Sequence, residues 1–182
     1  MSVQALAPED TTASLLAGAG FADAYRVIVD GPTLDATAAA QRVFAHTPRW
    51  IRALLTLRNR LGAVIKLKGA DEAALDHALS PGSRRRIGFF PIVSETQNRI
   101  VLGFDDWHLD FRVVVDVTSL AADRQQLTAT TLVRTHNRTG RAYLAFVTPF
   151  HRVIVRTLLA QAANPQAHPA SSSFTASSRS NR

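Results

Sequence analysis

The sequence predicts an α+β fold, and three features carry that prediction. Several short runs in the middle of the chain alternate apolar and polar residues with a period of two, the mark of half-buried strands. Helical patterns, with apolar residues three and four apart, precede these runs. One long helical pattern follows them and closes the folded part of the chain.

In chain order, residues 1–21 are small and polar with no sustained period, and read as a flexible arm. Residues 22–30, where Tyr25, Val27 and Val29 alternate with other residues, predict the first strand, and Gly31-Pro32-Thr33 ends it. A helix is expected over 34–46, with Thr33 or Asp35 near its start and Leu34, Ala38, Val43 and Phe44 turned inward. Pro48 opens a second helix at the position where proline fits best. There Trp50, Leu54, Leu57 and Leu61 share one side, while Arg49, Arg52 and Arg60 share the other. Residues 69–85 form a connector with a helical turn at 71–79, ended by Ser80-Pro81-Gly82.

Strands are then expected over 86–93, 98–104, 108–117 and 125–136. Their short, turn-like links make them antiparallel neighbours. The final helix runs over 138–162, with Tyr143, Phe146 or Val147, Phe150, Ile154 and Leu158 as its apolar stripe. Pro149 should kink or break it near Ala145, because proline removes a backbone donor and clashes with the preceding turn. Residues 163–182, rich in Ser, Ala and Pro, are expected to be disordered. The folded body is thus one domain over 22–162, which suits a chain of 182 residues that is 46% hydrophobic.

Composition removes several function classes. The chain has no cysteine, which excludes disulfides, thiolate catalysis and Cys-based zinc sites. No run approaches the ~20 apolar residues of a membrane span, and no basic segment followed by an apolar stretch opens the chain. A cytoplasmic protein is the expectation. The net charge is +7, and Arg supplies all of the 21 basic residues except Lys66 and Lys68. Charge of this kind permits nucleic-acid binding, but neither an aromatic-studded basic sheet face nor a recognition helix accompanies it. Nucleic acid is therefore not an expected partner. Nothing in the sequence asks for a cofactor or a metal: there is no phosphate loop, and His and Asp do not recur at a metal-binding spacing.

The most informative stretch lies at 103–112. From His108 onward, Leu109, Phe111, Val113, Val115 and Val117 alternate with His108, Asp110, Arg112 and Asp116. Pairing this strand with the next so that Asp110 meets Arg134 places His108, Asp110, Arg112, Arg134 and His136 on one face. The same register puts Leu109, Phe111, Val113 and Val133 on the other face, and a slip of one residue would expose them. Asp110 is then expected to be held between Arg112 and Arg134. Such a cluster serves either as a solvated outer face with ion pairs or as a site for an anion or polar head group. His151 is expected to cap a carbonyl freed by Pro149 or to pair with an acid.

The order strand, two helices, antiparallel sheet, long kinked C-terminal helix is that of START-like, helix-grip proteins. Three segments resemble an uncharacterised bacterial family, a domain of unknown function: Gly103-Phe104-Asp105-Asp106-Trp107-His108-Leu109-Asp110-Phe111-Arg112, then Thr135-His136-Asn137-Arg138-Thr139-Gly140-Arg141-Ala142-Tyr143, then Pro149-Phe150-His151-Arg152-Val153-Ile154-Val155. The helix ending Asn59-Arg60-Leu61 is similar too, so the resemblance covers about 22–160. It implies a domain that also occurs fused behind dehydrogenase-like NAD-binding domains, which makes a dehydrogenase or a second copy of the chain a conceivable partner. The likeness to helix-grip proteins implies a small apolar or amphipathic ligand held between sheet and helix, bound without chemistry. Phe104, Phe111, Val113, Tyr143, Val147 and Phe150 are the expected lining. The alternative it implies is an enzyme or accessory domain of the cyclase or dehydratase type, acting through the His/Asp/Arg cluster on a hydrophobic substrate.

Overall fold

The computed structural model describes residues 2–44, 85–88 and 90–164. These form a seven-stranded antiparallel sheet and three helices, with the long C-terminal helix packed on one face of the sheet in a helix-grip arrangement. The strands are β1 (Gln4–Leu6), β2 (Phe21–Asp30), β3 (Arg86–Ile87), β4 (Phe90–Glu95), β5 (Arg99–Asp105), β6 (Leu109–Ala121) and β7 (Arg124–Thr135). Their order in the sheet is β1-β2-β7-β6-β5-β4-β3, so the first long strand lies beside the last. The helices are α1 (Asp10–Ala13), α2 (Ala36–Phe44) and α3 (Arg138–Ala162). The helix expected from Pro48, most of the connector over 69–85 and the tail beyond Asn164 lie outside the described residues.

The central register follows the alternation in the sequence. Asp110 pairs with Arg134, Phe111 with Val133 and Arg112 with Leu132. On the inner face, Val27, Ile100, Leu102, Val115 and Leu127 meet Ala39, Ala40 and Val43 of α2 and Leu158, Leu159 and Ala162 of α3 in one buried core. Burial of this completeness contributes about 1.5–3 kcal/mol for each large aliphatic side chain.

Two caps set where the helices begin. Asp35 starts α2, its carboxylate accepting from the Ala38 amide at 2.7 Å. Asn137 starts α3, accepting from the Gly140 amide at 2.9 Å while its own amide donates to the Trp107 carbonyl at 3.2 Å. The second bond ties the turn between β5 and β6 to the start of the helix. Gly140 is required by that approach, because a Cβ there would lie 2.0 Å from the His108 carbonyl oxygen.

Three expectations change. The segment read as a flexible arm is docked: β1 pairs with the edge of β2, and Thr12 and Leu16 are buried. Small, non-periodic residues hid this because the contacts are a few specific ones rather than a continuous stripe. The helix α3 runs through Pro149 without a break, and the Thr148 hydroxyl donates to the Leu144 carbonyl at 2.7 Å one turn back. Its inner side carries Tyr143, Val147, Ile154 and Leu158 of the expected stripe, together with Leu144, His151, Val155 and Leu159. Phe150, expected inside, is 41% exposed and stacks with Phe146 instead.

Candidate functional site

The alternation of β6 and β7 gives the sheet two unlike faces. Odd-numbered residues of both strands point toward α3 and even-numbered residues point away. On the α3 side lies a partly open cavity of about 190 Å³. Phe104, Phe111 and Val113 form part of its floor, and Tyr143 and Val147 close it from the helix. Phe21, Phe44, Phe90 and Val133 complete much of the wall. Neighbouring rings interlock, with Phe90 and Phe104 each within 6 Å of Phe111 between centroids.

Among the polar side chains at this apolar space, which include Thr131 and Thr148, is His151, and sequence reasoning missed its partner. His151 of α3 lines the cavity, and its Nε2 lies 3.1 Å from Oδ1 of Asp23 on β2. Each side chain is only 16% exposed. A carboxylate can only accept, so Nε2 is the donor. Phe21 meets the imidazole edge-on at 5.9 Å. The expectation that His151 pairs with an acid therefore holds. Asp23 was legible in one respect: Phe21, Asp23, Tyr25, Val27 and Val29 all fall on the inward phase of β2, where an acid needs a partner. Beside it, burial and the Asp23 carboxylate push the Tyr25 hydroxyl above its ordinary range, while Arg156, stacked over the Tyr25 ring at 5.5 Å, opposes them.

The five polar residues expected together are divided. Asp110, Arg134 and His136 do form a cluster on the outer face. Arg134 donates to Asp110 through Nε at 2.9 Å and also through Nη2, and His136 Nε2 lies 2.9 Å from the other carboxylate oxygen. The Asp110 carboxyl is almost fully buried, and burial alone would raise its pKa. Hydrogen bonds from His136 and Arg134, with their charges, outweigh that and hold it below the ordinary carboxylate range. Arg134 also donates to the Ala17 carbonyl, so the docked N-terminal segment lies over this cluster.

Arg112 is not a partner of Asp110. It pairs with Asp105 at 2.7 Å and donates to the carbonyls of Phe104 and Phe111. Gly103, opposite Arg112, leaves room for this, since a Cβ there would stand 3.0 Å from Arg112 Cδ. His108 falls in the turn before β6 rather than in the strand, so it escapes the alternation. Its ring meets Tyr143 edge-on at 5.7 Å, and its Nδ1 is 3.5 Å from Asp106, too far for a hydrogen bond. Chemistry on a molecule in the cavity thus cannot run through Asp110, Arg134 and His136, which lie on the opposite face. Among the described residues, no group of three or more His, Asp or Glu is placed to hold a metal ion. No helix of the described residues is long and apolar enough to cross a membrane.

Sheet, helix and cavity together define an α+β protein of helix-grip architecture with an apolar space beneath its last helix. Residues 15–158 match the family described as "Protein of unknown function (DUF2867)", and the chain belongs to that family. All three segments singled out in the sequence fall inside the matched span. No curated protein matches the chain by sequence. Among solved structures, a conserved protein from Geobacillus kaustophilus aligns over 79% of this chain and 93% of its own, at 9% identity and a TM-score of 0.36. That likeness is too low to carry an argument.

Proposed function

We propose that the protein binds a small, mostly apolar molecule between α3 and the inner face of the sheet. The observation that carries this reading is the cavity itself: about 190 Å³, bordered mainly by aromatic and aliphatic side chains, beside an otherwise closely packed core. Protein interiors rarely leave such space, and an engineered apolar cavity of ~150 Å³ is enough to hold benzene. Drug-sized ligands occupy roughly 300–1,000 Å³, so the ligand is either a single-ring compound or a larger one only partly enclosed. The resemblance to START-like proteins supports the same reading.

Native mass spectrometry of the purified protein, together with a melting curve in saturating p-xylene, tests it. The expected result is a retained small-molecule mass, or a rise in melting temperature with p-xylene, either of which Val147→Trp abolishes by filling the cavity from the helix. The absence of both a retained mass and a rise would contradict the proposal.

A further inference from the structure

Resting on that reading, we infer that the His151–Asp23 pair is a polar anchor, and that the ligand is a small phenol-like molecule whose hydroxyl donates a hydrogen bond to it. The argument begins with an imbalance of donors and acceptors. In the tautomer that donates Nε2–H to Asp23 Oδ1, His151 presents Nδ1 as an acceptor. No partner for Nδ1 occurs among the described residues. Asp23 Oδ2 is buried, and the Tyr25 hydroxyl is a hydrogen-bonding neighbour of the same carboxylate. His151 lines the cavity, so an acceptor without a protein partner stands at the border of an apolar space. What the His151 ring lacks is a donor for Nδ1.

The charge of the pair selects the kind of head group. The Asp23 carboxylate stands directly behind the imidazole and disfavours an anion in front of it. Tyr25 adds no positive charge, and the nearest guanidinium, that of Arg156, is engaged over the Tyr25 ring. Arg152, the other cation of this helix turn, is exposed to solvent. A neutral hydroxyl therefore suits the site better than a carboxylate. The rest of the wall selects the body of the ligand. Phe21, Phe44, Phe90, Phe104, Phe111 and Tyr143 offer ring edges and faces on several sides, which suits a flat aromatic ring. An acyl chain would gain nothing from that arrangement, and the volume admits one ring with small substituents. The same hydrogen-bonded His–Asp geometry would make Nδ1 a stronger acceptor than a lone imidazole.

p-Cresol and p-xylene differ by a hydroxyl in place of a methyl, and p-toluate replaces the hydroxyl with an anion. Dissociation constants for all three are measured by calorimetry on the full chain, in wild type and in His151→Phe and His151→Gln. The expected result is that His151→Phe weakens p-cresol about tenfold, the size of one hydrogen bond, while p-xylene changes by less than about twofold. His151→Gln, which keeps an acceptor, should recover part of the p-cresol affinity. Unchanged p-xylene binding also shows that each variant is folded around its cavity. If p-cresol and p-xylene lose affinity in parallel, or p-cresol is unaffected, the anchor is overturned while the cavity reading survives. If p-toluate binds more tightly than p-cresol through His151, the assignment to a neutral hydroxyl is overturned. If p-xylene fails to bind wild type, the cavity reading itself fails and takes this inference with it.

Discussion

The two faces of the sheet solve opposite problems with the same strands. The inner face of β6 and β7 is apolar, and its side chains leave space under α3 that they do not fill. The outer face carries a nearly buried carboxylate, Asp110, with both oxygens paired, and the N-terminal segment is drawn down over it. Behind the cavity wall, Asp23 pairs with His151 through one oxygen and has the Tyr25 hydroxyl as a neighbour, and it is the His151 ring that reaches the empty volume. The contrast teaches where function and stability separate in this molecule. A fully satisfied polar cluster is a structural joint, and a histidine beside empty volume is where the proposed ligand would be anchored.

The largest test of that contrast compares packing on the inner face. Leu102→Ala, at a fully buried core position, should cost about 2–5 kcal/mol in urea denaturation. Val147→Ala, at the cavity wall, should cost less than ~1 kcal/mol because few atoms lie beyond it to be abandoned. Equal losses would mean that the space beside Val147 is packed as tightly as the core.

A smaller effect is expected on the outer face. Asp110→Asn removes the charge that Arg134 and His136 share, and should cost about 2 kcal/mol at neutral pH. The folded-state pKa of Asp110 lies below its unfolded value of about 3.9. Its contribution is therefore fully present above that unfolded value and fades as pH falls through the lower, folded one. Stability curves of wild type and variant should converge in acid, and a pH-independent gap would deny the charge cluster. Ligand affinity should not change in either case.

The smallest effect concerns the docked segment. The Thr12 hydroxyl accepts from Arg99, which also pairs with Asp116 at 2.6 Å. Thr12→Val should lower stability by about 1 kcal/mol in thermal denaturation. No change would show that the Arg99–Asp116 pair alone satisfies the guanidinium.

How much of this was legible in the sequence depends on periodicity. Where side chains alternate without interruption, as over Leu109–Ala121 and Arg124–Thr135, the sequence specified element, partner and register together. His108 was misplaced because a turn, fixed by the Asn137–Trp107 bond, stops the alternation one residue early. Phe150 was misplaced because the buried side of α3 includes two polar residues, Thr148 and His151, which a search for large apolar residues passes over. Asp23 and His151 are 128 residues apart, and only the β2–β7 pairing, with α3 packed against both strands, brings them together.

The most direct test of the account is a methyl-resolved NMR spectrum recorded with and without saturating p-xylene. Shifts should be confined to Leu109, Val113, Val133, Val147 and their neighbours at the cavity, while Val101, Val114 and Leu132 on the outer face stay still. Shifts centred on the outer-face methyls, or none at all, would contradict a ligand site beneath α3.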